Sequence, residues 1–315
     1  MSIKKIIPEI VCWESTLACN FNCQHCGLNA RTARDNELNS RKAENMFQEL
    51  NRFGIQRIVI SGGEFTVRED WQELLSCALS LFENVRIITN GYLGEKLISI
   101  LESLDNSENL VLSLSLDGMQ KFHDYRRQFG SFSKIKEILQ APTQMPKVVL
   151  TTVDKNNFSD LDEVFNLCLK NNVDTWIIQI GLPAGRMKKE DFIGVERIPE
   201  IVTRIESWQK RQNLMQVAID DCFAYFHAIR KSLWLGCHAG NRLVSIKSDG
   251  QVTGCPTLVF PDCGNIKEKS FEAIYYGLEM EKIRNFKPIQ CRKCNQCLGG
   301  CRAVSETTGQ MLCKV

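Results

Sequence analysis

The chain is expected to fold as an α/β protein: a partial (β/α)6 parallel barrel followed by a small cysteine-rich C-terminal module with a β-hairpin. Three observations predict this. Short, β-rich apolar runs alternate with amphipathic segments at a spacing of roughly thirty residues, and strand–helix–strand repeats imply right-handed crossovers and a parallel sheet. About six such units are present, too few to close an eight-unit barrel. Past Cys237 the alternation gives way to glycine, cysteine and hairpin signals, which places a domain change near residue 230 and divides the chain into 1–230 and 231–315.

In order, strands are expected at Glu9 to Leu17, Gln56 to Ile60, Val85 to Thr89, Leu110 to Leu116, Lys147 to Val153 and Thr175 to Ile180. Helices separate them at about Arg41 to Arg52, Glu69 to Phe82, Glu95 to Leu104, Phe132 to Leu139 and Asp160 to Asn171. Two have start signals of the capping-box form, Thr66-Val67-Arg68-Glu69 and Ser159-Asp160-Leu161-Asp162. A further helix, about Ile198 to Gln212, leads to a last strand-like run, Gln216 to Asp220. Beyond it, Leu243 to Ile246 and Gln251 to Thr253 flank Lys247-Ser248-Asp249-Gly250, a hairpin signal.

Composition excludes several classes. The 39 basic and 37 acidic residues leave a formal charge of +2, so no global field draws the chain to nucleic acid. No apolar run approaches the ~18 residues of a membrane span, and the start Met1-Ser2-Ile3-Lys4-Lys5-Ile6-Ile7-Pro8-Glu9 breaks before a signal core can form. A cytoplasmic protein with no membrane partner is expected. Fifteen cysteines in a reducing compartment are not a disulfide framework and call for metal or catalytic work.

Cys19, Cys23 and Cys26 lie within eight residues. Three thiolates on so short a loop can hold three corners of a cubane iron–sulfur cluster and leave the fourth iron open. An open position is what separates a catalytic metal centre from a structural one. The other reading is a structural zinc loop, whose second Cys or His half does not follow in the next fifty residues. In parallel α/β folds chemistry gathers at the carboxyl ends of strands. Three motifs sit there: Ser61-Gly62-Gly63-Glu64, Thr89-Asn90-Gly91 and Ser113-Leu114-Ser115-Leu116-Asp117-Gly118. The glycines allow close backbone approach to a ligand, and Glu64 offers an acceptor for an ammonium group.

The C-x3-C-x2-C spacing, with Gly62-Gly63-Glu64, Ser115 to Gly118 and His123-Asp124-Tyr125-Arg126-Arg127 behind it, resembles the radical S-adenosylmethionine (SAM) superfamily. Cys237, Gly250 and Cys255, in a C-x12-G-x4-C string, and the cysteines that follow resemble its SPASM extension. The likeness covers nearly the whole chain. It implies a 4Fe-4S cluster on Cys19, Cys23 and Cys26 whose open iron chelates SAM. Gly62, Gly63 and Glu64 would meet the SAM amino group. Asn90, Ser115 and Asp117 would belong to the cofactor site, with Ser115 near the ribose or methionine portion. Arg127 would pair with the SAM carboxylate. His25 stands where the family usually has an aromatic residue and would stack on or hydrogen-bond to adenine, the other reading being a solvated loop histidine.

The family's usual C-x2-C-x5-C-x3-C run is shortened here to Cys291-x2-Cys294-x2-Cys297-x3-Cys301, which also resembles the bacterial ferredoxin run. Both analogies imply two auxiliary clusters. Cys291, Cys294, Cys297 and Cys313 would hold one, and Cys301 would cross to the other, on Cys237 and Cys255. That second site would keep an open iron or take Cys263 or Cys222 as fourth ligand. A zinc ribbon is the competing reading. Cys77 and Cys168 fall among apolar residues at helical spacing and read as core. Asp220-Asp221-Cys222 ends the last core strand at the expected substrate mouth. The thiol there could ligate a cluster, donate a hydrogen atom or pack, with the acidic pair as a proton acceptor.

The resemblance implies an enzyme that cleaves SAM reductively and abstracts hydrogen from a peptide or protein, cross-linking, epimerising or oxidising it in ribosomal peptide maturation. An electron donor such as flavodoxin or ferredoxin is implied. Too little chain precedes Cys19 for a separate leader-recognition domain, so substrate is expected to bind the barrel mouth directly or to be presented by a leader-peptide-binding protein. A sulfatase-type maturase and a small-molecule dehydrogenase are the alternatives within the family. An iron–sulfur electron carrier is the alternative outside catalysis, and it leaves the Gly62 to Glu64, Ser115 to Gly118 and Arg127 set unexplained.

Overall fold

A computed structural model describes residues 7–211, 214–219, 237–257, 261–286 and 301–309. One sheet of nine strands organises them: β1 Ile10–Glu14, β2 Arg57–Ser61, β3 Asn84–Thr89, β4 Leu110–Ser115, β5 Lys147–Val153, β6 Thr175–Ile180, β7 Gln216–Ile219, β8 Leu243–Ile246 and β9 Val252–Thr253. The first seven pair in chain order, all parallel. β7 ends one edge and β9 the other, so the described sheet is open, as the unit count predicts.

The helices are α1 Ser40–Phe53, α2 Trp71–Leu81, α3 Lys96–Glu102, α4 Gln120–Arg126, α5 Ser131–Gln140, α6 Leu161–Lys170, α7 Ile198–Arg211, α8 Phe271–Tyr275, α9 Leu278–Arg284 and α10 Arg302–Thr308. None of the described helices is long and apolar enough to cross a membrane. α1 illustrates how the sequence sets an element. Asn39 caps it by accepting from the Lys42 N–H, Met46, Phe47 and Leu50 face the core, and Gly54 closes it in the left-handed region. Alternate strand residues such as Val11, Trp13, Ile58 and Ile60 are fully buried under these helices, while the other set, such as Cys12, Val59 and Arg86, lines the interior cavity.

The expected core helices lie within two residues of the observed ones. Neither capping box forms. The Thr66 hydroxyl donates to the buried Glu64 carboxylate, and α2 starts at Trp71 without a side-chain cap. The Ser159 hydroxyl contacts Asp160, which likewise makes no cap bond to α6. α4, absent from the sequence reading, houses His123, Asp124 and Arg126.

The hairpin forms where expected, with Gly250 at φ +87° in its turn. β8 also pairs in parallel with β1, Cys12 opposite Ser245, so the core sheet runs on into the C-terminal hairpin. α8 seals the junction: Phe53 of α1 meets Phe271 and Tyr275 edge-on at 5.2 and 5.8 Å. Asp220, Asp221, Cys222, Cys291, Cys294, Cys297 and Cys313 lie outside the described residues.

Candidate active site

The three cysteines of the N-terminal loop are held from three directions. The Phe21 N–H donates to Cys19 Sγ and the Ala30 N–H to Cys26 Sγ, both at 3.4 Å. Such donors favour thiolate and tune a cluster that thiolates hold. From β3, Asn90 Nδ2 donates to Asn20 Oδ1 at 2.8 Å. From the segment after β6, Arg186 Nε donates to the Cys23 carbonyl at 2.7 Å and Nη1 to the Ala30 carbonyl at 3.0 Å, while its own N–H donates to the Cys26 carbonyl. A Cβ on Gly185, which sits at φ +60°, would come within 2.3 Å of the Cys26 carbonyl oxygen, so only glycine permits this approach. Sequence reading missed this clamp. Its signal was the Gly181-Leu182-Pro183-Ala184-Gly185-Arg186 turn at a strand's carboxyl end.

Burial pushes the Cys19 thiol up to about 11 and raises Cys23 as well. Loading a cluster therefore releases protons from this loop.

Gly62 and Gly63 pack on the backbone entering the loop. A Cβ at Gly63 would lie 2.2 Å from the Ala18 carbonyl oxygen. The Glu64 side chain is buried and accepts four hydrogen bonds, from the Thr66 N–H and hydroxyl, the Thr89 hydroxyl and the Asn90 N–H. Burial raises its pKa in spite of these donors. With about four acceptor sites per carboxylate, Glu64 spends most of its capacity tying β2 to β3 and keeps little for a ligand.

Asp117 is fully buried at the end of β4 and lines neither cavity described below. It accepts from Arg127 Nε at 2.6 Å and from the Thr152 N–H, and His25 Nε2 lies 3.2 Å from it. Burial opposes its charge, but Arg127, His25 and Arg126 together hold its carboxyl well below the usual carboxylate range. Asp117, which the resemblance implies is part of the cofactor site, contacts two residues of the cavity wall, Arg127 and His25, without lining the cavity itself. Burial keeps His25 neutral, well below the usual imidazole range. Nε2–H then faces Asp117, and the buried Nδ1 has no hydrogen-bond partner among the described residues. Arg127 has one N–H on Asp117, and the rest of its fork is unpaired among the described residues.

These groups surround a cavity of about 380 Å³ lined by the three cysteines, His25, Gly62 to Glu64, Asn90, Ser115 and Arg127. The size suits a small-molecule cofactor. An orphaned acceptor on His25, an open guanidinium fork and glycines that bring backbone to the wall together fit a zwitterionic nucleoside such as SAM above an iron–sulfur cluster. Thr152 and Gln179, joined by a 2.8 Å hydrogen bond, also face it. They are the penultimate residues of β5 and β6, and sequence reading did not single them out.

A second cavity, about 410 Å³, shares walls with the first at Ser61, Gly62, Ser115, Arg127, Thr152 and Gln179. Cys237, Cys255 and Cys301, the set that the resemblance assigns to one auxiliary cluster, all border it. The three are near enough that each of Cys237 and Cys255 feels the charge of Cys301, and burial pushes Cys255 up to about 12. Cys263 is half-buried, and burial, with Asp262 and Glu279 beside it, pushes its thiol up to about 11. Cys168 is buried in α6, and Cys77 packs against the core from α2.

Comparison with known proteins agrees with this arrangement. The family model described as the radical SAM superfamily matches residues 13–183, and that of an iron–sulfur cluster-binding domain, SPASM, matches 237–298. The chain is 27% identical over 331 residues to an AdoMet-dependent heme synthase of Methanosarcina barkeri, covering 94% of this chain and 91% of that protein. It is 27% identical to the mycofactocin maturase MftC of Mycobacterium tuberculosis, over 96% and 80% of the two chains. Its fold matches Streptococcus suis SuiB bound to precursor peptide SuiA with a TM-score of 0.78 and 18% identity, over 94% and 72% of the two chains.

Proposed function

The chain belongs to the radical SAM superfamily, and from that premise we propose that it abstracts a hydrogen atom from a peptide or protein substrate held inside the barrel. The observation that carries the reading is the shared wall of the two cavities: the SAM site opens directly onto a space bordered by Cys237, Cys255 and Cys301. When bound, the cluster and SAM supply a 5'-deoxyadenosyl radical by one-electron cleavage. The chain's residues orient and shield. Cys19, Cys23 and Cys26 would hold the cluster, Arg127 would take the SAM carboxylate, and His25 Nδ1 would accept from the adenine amino group. Ser115 contacts the ribose or methionine portion. Asp117 keeps His25 and Arg127 in place. Substrate would occupy the larger cavity, where Cys237, Cys255 and Cys301 would hold an auxiliary cluster able to accept the electron left by a net oxidation.

The peptide class is supported by the mycofactocin maturase relative and by SuiB, which binds a precursor peptide. A second reading, a non-peptide substrate, is favoured by the heme synthase relative, matched along 91% of its length. The test is anaerobic incubation of the reduced, cluster-loaded protein with SAM and a short peptide encoded beside its gene, followed by mass spectrometry. Deoxyadenosine formation with a peptide mass shift of about two hydrogens, or a change of residue configuration, supports peptide maturation. Deoxyadenosine with unaltered peptide turns the assignment to a non-peptide substrate.

A further inference from the structure

Strand register aligns four inward-facing side chains in one row across the barrel. Cys12 stands opposite Ser245 on one side and Val59 on the other, and Val59 stands opposite Arg86. All four line the 410 Å³ cavity, whose wall is otherwise largely apolar, with Ile10, Ile88, Leu150 and Ile177 among its members. The other acidic, lysine and arginine side chains on that wall are neutralised. Glu14 meets Arg34 at 2.5 Å and Lys247 at 3.7 Å, and Arg127 meets Asp117 at 2.6 Å. Arg86 has no acidic partner and no hydrogen bond among the described residues. Burial lowers its basicity, with the nearby Cys12 thiol acting against this, and a guanidinium stays charged in any such setting.

Arg86 is half-buried, so its guanidinium is a standing positive charge on an apolar wall that an anionic ligand group would complete. The planar fork of arginine matches a carboxylate in two-point contact.

We propose that Arg86 is a substrate anchor that receives a carboxylate of the substrate, whose carbon chain then rises along the apolar wall toward the SAM site. Arg86 precedes Asn90 by four residues, roughly 13 Å of strand, so the anchor and the cofactor site bracket the substrate between them. The inference rests on reading the larger cavity as the substrate site. It names the chemistry that site selects, a carboxylate carried either on a peptide C-terminus or on an alkyl chain.

The test uses the full chain, cluster-loaded and with SAM bound, and two acid–amide probe pairs: hexanoate with hexanamide, and N-acetylleucine with N-acetylleucinamide. Ligand-observed NMR gives the affinities. At least one acid is expected to bind about tenfold more tightly than its amide, as a charge-assisted contact implies. Arg86→Gln should remove that preference and Arg86→Lys should keep part of it. A stronger preference in the hexanoate pair marks an alkyl carboxylate, and one in the N-acetylleucine pair marks a peptide terminus. Both support the anchor. Equal binding of acid and amide to the wild type, or an acid preference that survives Arg86→Gln at wild-type iron content, overturns it. Should Arg86→Gln fail to load clusters, the wild-type comparison and Arg86→Lys decide. Failure of the radical reading is a separate result, the absence of deoxyadenosine from the wild-type protein.

Discussion

The sequence marks Asp117 as part of a motif but not the side chains that gather around it. The Ser-x-Asp-Gly string marked it, yet its carboxylate is sealed from both cavities and spends its charge on Arg127, His25 and the more distant Arg126. Breaking a buried ionic hub leaves uncompensated charge, so Asp117→Asn should cost about 3–5 kcal/mol of stability, read as a lower urea midpoint. It should also weaken SAM binding, because His25 and Arg127 lose their common support. His25 was visible from its place before Cys26. What could not be seen was which of its nitrogens would be free, since that depends on a carboxylate 92 residues away in sequence. Thr152 and Gln179 escaped notice for a similar reason: a threonine or glutamine in a strand signals nothing until the fold turns it inward.

Among the elements, the core strands and the helices between them were legible because each buries one face and repeats the same crossover. The first capping box failed because the Thr66 hydroxyl donates to the buried Glu64 carboxylate, and α2 begins at Trp71, beyond the N–H groups that Thr66 would have capped. The segment after β6 was not legible as part of the site, although Arg186 makes three of the bonds that hold the cysteine loop. Arg186→Ala is expected to speed chelator extraction of iron from the Cys19 loop roughly tenfold, in line with the loss of an outer-sphere support. A second prediction concerns Glu9, just ahead of β1, and Arg242, just ahead of β8. Arg242 donates to both Glu9 oxygens, at 2.7 and 2.6 Å, and holds that carboxyl below its ordinary value. A depressed carboxyl stabilises above its unfolded pKa and loses that contribution as pH falls through the folded one. Both side chains are substantially exposed, so the effect is screened to at most about 1 kcal/mol. Arg242→Gln should therefore lower the urea midpoint slightly at pH 6 and make little difference at pH 3.

For the whole molecule, the change in composition points to a division near residue 230, a position outside the described residues, and gives no sign of the parallel pairing of β8 with β1. That contact joins residues more than two hundred positions apart, and no local pattern announces it. Its consequence is functional. By extending the core sheet, it brings Cys237 and Cys255, on either side of the hairpin, to the border of the cavity that the SAM site also faces. The count of clusters turns on the Cys291 to Cys301 run, most of which lies outside the described residues. Reconstituted wild type should bind about twelve irons if three cubanes form and about eight if the shortened run supports one auxiliary cluster. Cys301→Ala should reduce the auxiliary iron while sparing the cluster on the Cys19 loop.

The central claim is that Cys19, Cys23 and Cys26 hold a cluster with an open iron that cleaves SAM. The most direct measurement is chromatographic assay of 5'-deoxyadenosine after anaerobic reconstitution, reduction and addition of SAM, for the wild type beside Cys26→Ala. The expected result is deoxyadenosine from the wild type and none from the variant, which should retain its auxiliary iron. Zinc in place of iron, with no SAM cleavage by the wild type, would contradict it.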